Sequence, residues 1–161
     1  WFVQRYKSQI RLIDYYEASG EGLDHYAKVI NNKPYDYSTH IAPHDIKVRE
    51  LGAYGKSRLE SALELGISFT VAPKLSIEDG IEAVRKAIPN CYFDKNKCSV
   101  GIEALKAYQK RWDEKNQCFR NKPLHNFASH SADAFRTGIV GGGIEATDWK
   151  QTISVNTNYI I

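Results

Sequence analysis

Apolar and polar positions interleave over residues 1–7 (WFVQRYK) and 10–17 (IRLIDYYE), two runs rich in aromatic and β-branched types joined by Ser8-Gln9. Runs of that kind around a short polar link predict a β-hairpin. The period then changes. Leu23, Tyr26, Ala27 and Ile30 recur at helical spacing, so a helix is expected over about residues 21–31, with Ser19 as its cap. STHIAP (38–43) is a short buried strand that leads straight into His44-Asp45. Leu59, Ala62, Leu63 and Leu65 predict a helix over 57–65, stopped by Gly66. ISFTVA (67–72) is a strand. Ser76 with Asp79 three residues on resembles a capping box, and Ile77, Ile81, Val84 and Ile88 carry the helical period until Pro89 ends it. A short strand at 91–93 precedes an amphipathic helix over 99–112, marked by Ile102, Leu105, Ala107, Tyr108 and Trp112. Residues 113–123 are polar and loop-like. A last helix over 125–140 presents Phe127, Ala128, Ala132, Phe135 and Ile139 before Gly141-Gly142-Gly143 breaks the chain.

The predicted order is β-β-α-β-α-β-α-β-α-α. Strands alternating with helices define an α/β layer fold with a largely parallel sheet. The length of 161 residues suits one domain. We place it at 1–140, with 141–161 as a tail, a linker or a late strand at TISVN. No internal repeat or low-complexity segment interrupts it.

Composition narrows this picture only in part. Hydrophobic residues at 42% and charged residues at 25% give a globular balance and argue against disorder. The net charge of +3 permits an anionic partner without requiring one. Cys91, Cys98 and Cys118 are an odd set with no CxxC pair, which fits neither a four-ligand zinc site nor a disulfide framework. Reduced thiols are expected. No apolar run approaches the roughly 20 residues of a membrane span, so no membrane partner is expected. A start at Trp1 and the lack of any Met suggest a piece of a longer protein.

Two acids stand out. Asp45 follows a predicted strand, and ligand sites of open α/β sheets lie beyond the carboxyl ends of strands. Its ordinary alternative is a turn or N-cap Asp. Asp133, in HSADAFR, lies on a helix among Ala128, Ala132 and Ala134, small residues that allow close approach to a sheet. Its ordinary alternative is a solvated Asp paired with Arg136. Together they suggest a carboxylate metal site for Mg²⁺ or Mn²⁺, which prefer hard oxygen ligands. A two-metal centre needs about three or four carboxylates, more than these two. His130, one helical turn before Asp133, is a further candidate ligand, or a locally bonded His. Gly55-Lys56-Ser57 fails the phosphate-loop pattern, because position 50 is Glu. ATP binding there is rejected. Lys47, Arg49, Lys56 and Arg58 cluster after Asp45, either as a basic patch for a nucleic-acid backbone or as a solvated face.

The phrases IDYYEASGEGLDHYAKVI, THIAPHDIKVRELGAYGKSRLESALELGI, VAPKLSIEDGIEAVRKAIPNCYFD and PLHNFASHSADAFR, in that order, resemble the C-terminal nuclease domain of phage and prophage terminase large subunits. The resemblance covers roughly residues 1–138. It implies an α/β fold with an RNase H-like mixed sheet flanked by helices, here lacking the first central strand. It implies a two-metal endonuclease that cuts concatemeric double-stranded DNA during genome packaging. Asp45 of PHD and Asp133 of HSADAFR match two of the family's three metal-binding acids. The third is expected upstream of Trp1. Asp14 is a poor substitute for it, and Glu17 a poorer one. The implied partners are double-stranded DNA, an ATPase domain upstream in the same polypeptide, a small terminase subunit and the portal protein. The implied location is the host cytoplasm during phage assembly. The alternative is a catalytically incomplete RNase H-like module that grips DNA or docks the packaging motor on the portal.

Overall fold

The computed structural model describes residues 1–50 and 55–143. The tail from residue 144, including TISVN, lies outside them. The described residues form a mixed α/β fold with five α-helices and three small sheets.

The N-terminal hairpin forms as its alternation predicts. Strands β1 (Phe2–Tyr6) and β2 (Gln9–Asp14) pair antiparallel, with Val3 opposite Leu12 and Tyr6 opposite Gln9. The turn between them places Lys7 at φ 53°, in the left-handed region. Helix α1 (Leu23–Asn32) follows, but its N-cap is Gly22 and no side chain caps it. Ser19 therefore does not act as the cap expected of it, because it lies too far upstream of the first turn.

Strand β3 (His40–Ala42) pairs parallel with β4 (Phe69–Val71), His40 opposite Phe69 and Ala42 opposite Val71. Between them lies α2 (Arg58–Glu64). Ser57 and Glu60 cap α2 reciprocally, the backbone N–H of each residue donating to the other's side chain. Gly66, at φ 83°, ends that segment. Helix α3 (Ile77–Ala87) starts at Ser76, whose hydroxyl accepts from the Asp79 N–H at 3.0 Å. It passes into a 3-10 turn at Ile88–Asn90 that contains Pro89. Strand β5 (Cys91–Phe93) then joins β2 in parallel, Leu12 opposite Phe93.

Two expectations need correction here. Helix α4 (Ser99–Ala107) is shorter than predicted, and the segment read as a loop is a hairpin of β6 (Lys110–Asp113) and β7 (Cys118–Pro123). Trp112 continues the helical period of Leu105 and Tyr108, but it stacks instead across the hairpin on Phe119, with ring centroids 4.9 Å apart. Nor is there one largely parallel sheet among the described residues. Sheet order is β1-β2-β5, with β3-β4 and β6-β7 separate, and β1 and β3 each pair on one side only.

Helix α5 (Phe127–Gly141) ties these pieces together. It packs on α3, on α4 and on β3. The main core gathers Ile10, Leu12, Ala87, Cys98, Phe135 and Ile139. A smaller cluster of Ala27, Ala62 and Ile67 lies under α1 and α2. All three cysteines are free thiols. No helix among the described residues is long and apolar enough to cross a membrane.

Candidate functional site

Asp45 owes its position to the end of β3. The register continues one step past the strands through the Ala72 N–H, which donates to the Ala42 carbonyl at 2.8 Å. Pro43, fixed at φ −67°, then turns the chain into a 3-10 helix over His44–Lys47. Buried Ile46 anchors that turn, and the Val48 N–H closes it on the Asp45 carbonyl at 2.9 Å. The Asp45 side chain is left exposed just beyond the carboxyl end of β3. It makes no hydrogen bond or ion pair with the described residues.

Asp133 owes its position to the buried face of α5. Asn126 caps the helix by accepting from the Ala128 N–H at 3.1 Å. Ala128, Ala132, Phe135 and Ile139 then face the core. Asp133 sits at the edge of that face, half exposed, 3.0 Å from Arg136. This is the intrahelical pair of its ordinary reading. The stem of Arg136 crosses Gly80 of α3 so closely that a Cβ there would lie 2.5 Å from its Cδ. Its Nη1 is buried and finds no acceptor among the described residues. The Tyr108 hydroxyl nearby is pushed above its ordinary pKa by burial and by the charge of Asp133, with Arg136 opposing.

The fold joins the two elements more clearly than the two acids. A Cβ at Gly141 would lie 2.5 Å from Ile41 of β3 and 2.9 Å from Ala72, so α5 meets the β3-β4 pair there. Asp133 lies some two turns, roughly 12 Å of helix, before that contact. No group of three or more His, Cys, Asp or Glu side chains suited to a metal exists among the described residues.

His130 is exposed and meets His125 edge-on at 5.4 Å. It lines a cleft of about 170 Å³ with Trp1, Tyr15, Tyr16, Glu17 and Tyr26. Inside that cleft the Tyr15 hydroxyl donates to Glu17 at 2.6 Å and meets the Ser131 hydroxyl, which in turn reaches Glu17 at 3.1 Å. Burial, with the Glu17 bond adding to it, pushes Tyr15 up to about 12. Sequence reasoning missed this network. Tyr15 and Ser131 lie 116 positions apart, and no local pattern joins them.

Asp14 is not available to a metal in the way Asp45 is. Its side chain is buried and bonded to the Lys33 ammonium at 2.6 Å, the Tyr15 N–H at 2.8 Å and the Tyr35 hydroxyl at 3.2 Å. Burial opposes its charge, but Lys33 and the other donors outweigh that and hold the carboxyl below its usual range. Two of the four cations after Asp45 are also engaged. Lys56 binds Glu64 and Arg58 binds Glu50, each at 2.6 Å. Arg49 forms a single β-bridge with Ser57, and Lys47 is exposed.

Family models, curated proteins and solved structures were compared with this chain, and none of them matches it.

Proposed function

We propose that this chain is an RNase H-like nuclease domain of a viral DNA-packaging terminase, a metal-dependent endonuclease on double-stranded DNA. One observation carries the reading. The Asp45 carboxylate stands exposed at the carboxyl end of a parallel strand, with no described cation neutralising it. Buried Asp14 and Asp113, by contrast, are each held by a cation. Asp133, on the helix that packs against that same strand, adds the second carboxylate, although Arg136 is paired with it at 3.0 Å. The phrases around both acids are the ones that resemble the terminase family.

Mg²⁺ or Mn²⁺ held there would supply an activated water and charge stabilisation at phosphorus. The reading calls for at least one further carboxylate outside the described residues. Nicking of supercoiled plasmid in Mn²⁺ by the full-length polypeptide tests it. Asp45→Ala and Asp133→Ala are each expected to abolish nicking while duplex binding stays near the parent value. This 161-residue chain alone is expected to nick weakly or not at all. Undiminished cutting by either full-length variant refutes the reading. Duplex binding without cutting by the parent polypeptide favours the module that only grips DNA or docks the motor.

A further inference from the structure

The β6-β7 hairpin is the least expected element of the fold and the most unevenly charged. Lys110, Arg111, Lys115, Arg120 and Lys122 face Asp113 and Glu114, five cations against two acids. That excess of three equals the net charge of +3 of the whole chain, so all other residues together balance. Of the five cations, only Arg120 is ion-paired among the described residues, with Asp113 at 2.8 Å. All five are exposed. A basic excess of three thus lies on this hairpin, whereas Lys56 and Arg58 after Asp45 are already matched by glutamates.

The hairpin is also shaped for the task. It is a two-stranded ribbon that pairs with no other strand among the described residues. A lone hairpin is marginally stable in water, so it needs internal ties. Asp113 provides them by accepting from the Lys115 and Asn116 N–H groups, the Asn116 amide and Arg120. Trp112 and Phe119 pack edge to face and remain 44% and 59% exposed. The two aromatics together form a small exposed apolar surface beside these cations. An open groove of about 520 Å³ runs beside them, lined by Arg111, Lys115 and Arg120 among others.

We propose that the β6-β7 ribbon is a docking surface for duplex DNA. Its exposed cations meet phosphates, and its width suits the major groove, which at about 12 Å admits a two-stranded ribbon. Trp112 and Phe119 pack against the sugar and base edges there. The inference rests on the nuclease reading for its choice of duplex DNA, and it extends that reading by placing the grip on an element distinct from Asp45 and Asp133.

The test is fluorescence anisotropy of a labelled 25-bp duplex with the full chain, from about 50 to 200 mM NaCl. The variant is the triple Lys110→Gln, Arg111→Gln and Lys115→Gln, which leaves the Asp113 ties and the aromatic pair in place. It is expected to weaken binding at least tenfold at low salt. The slope of log Kd against log salt should fall by two to three, about one per lost phosphate contact. Trp112→Ala, checked by circular dichroism for retained fold, should weaken binding with little change of slope. Unchanged duplex affinity and slope in the triple variant would overturn the proposal, whatever the cutting assay shows. Equal displacement of the duplex by polyglutamate and by unlabelled DNA would point to an acidic polypeptide partner and overturn it too. Loss of binding in the triple variant, with no Mn²⁺-dependent cutting by the full-length protein, would sustain the ribbon and refute only the nuclease reading.

Discussion

Asp14 holds a charge inside the fold because the Lys33 ammonium and two further donors, the Tyr15 N–H and the Tyr35 hydroxyl, compensate its burial. Replacing it by Asn removes the charge and leaves Lys33 facing a neutral group. Breaking one side of a buried pair costs several kcal/mol, but Lys33 is 27% exposed and can turn partly to water. We expect Asp14→Asn to lose about 1–3 kcal/mol at neutral pH, read by urea unfolding. The pH dependence has a definite sign. A carboxyl held below its usual range in the folded state contributes stability above its unfolded pKa, and that stability drains away as pH falls through the folded value. The gap between parent and Asp14→Asn should therefore close between about pH 5 and pH 2. A gap that stays constant into acid would contradict this account. At this scale the sequence could suggest Asp45 and Asp133, since both lie in local phrases. It could not disclose that Lys33, nineteen positions from Asp14, takes that acid out of contention.

Elements whose fate is decided locally were legible. Hairpin β1-β2 follows from its aromatic and β-branched runs and polar link, and α2 from Leu59, Ala62, Leu63, Leu65 and Gly66. Helix α5 follows from the apolar stripe of Ala128, Ala132, Phe135 and Ile139. Where local signals conflict, tertiary pairing decides. Trp112 fits a helical period, yet Phe119 and the Asp113 ties draw residues 110–123 into strands. Some close packing between elements is marked in the sequence only by a glycine. Gly101 of α4 is the clearest case, because a Cβ there would lie 2.5 Å from the Trp1 ring and 3.0 Å from Tyr15. Overpacking of that kind costs about 1–3 kcal/mol, against a helix-propensity gain of about 1 kcal/mol for replacing glycine. Gly101→Ala should therefore give no gain in stability and a loss of up to about 2 kcal/mol in urea unfolding. A stabilised variant would mean that α4 can move away from Trp1 at no cost.

The whole molecule is an assembly of small sheets held by one late helix. The α/β class was readable from the order of elements, but the division into β1-β2-β5 and β3-β4 was not, since strand partners are set by contacts far apart in the chain. The site is legible to the same degree. Asp45 and Asp133 stood out as candidates, and α5, which carries Asp133, meets the strand that precedes Asp45 through Gly141 and Ile41. Among the described residues no group of three or more metal-ligating side chains forms around them. Because α5 touches α3, α4 and β3, a chain ended after Leu124 should fail to acquire a protected core. Limited proteolysis is expected to degrade that fragment while leaving the 1–143 region of the parent resistant. Comparable resistance would show that the sheets stand without the helix.

The Trp1 indole donates to the Ser131 carbonyl across 130 positions. On a ribosome adding about 5–20 residues each second, Ile10 and Leu12 must then wait several seconds for Phe135 and Ile139 to be made. Through that interval the apolar face of β2 is uncovered, and its vulnerability to aggregation is set by the position of α5, the last of the described helices.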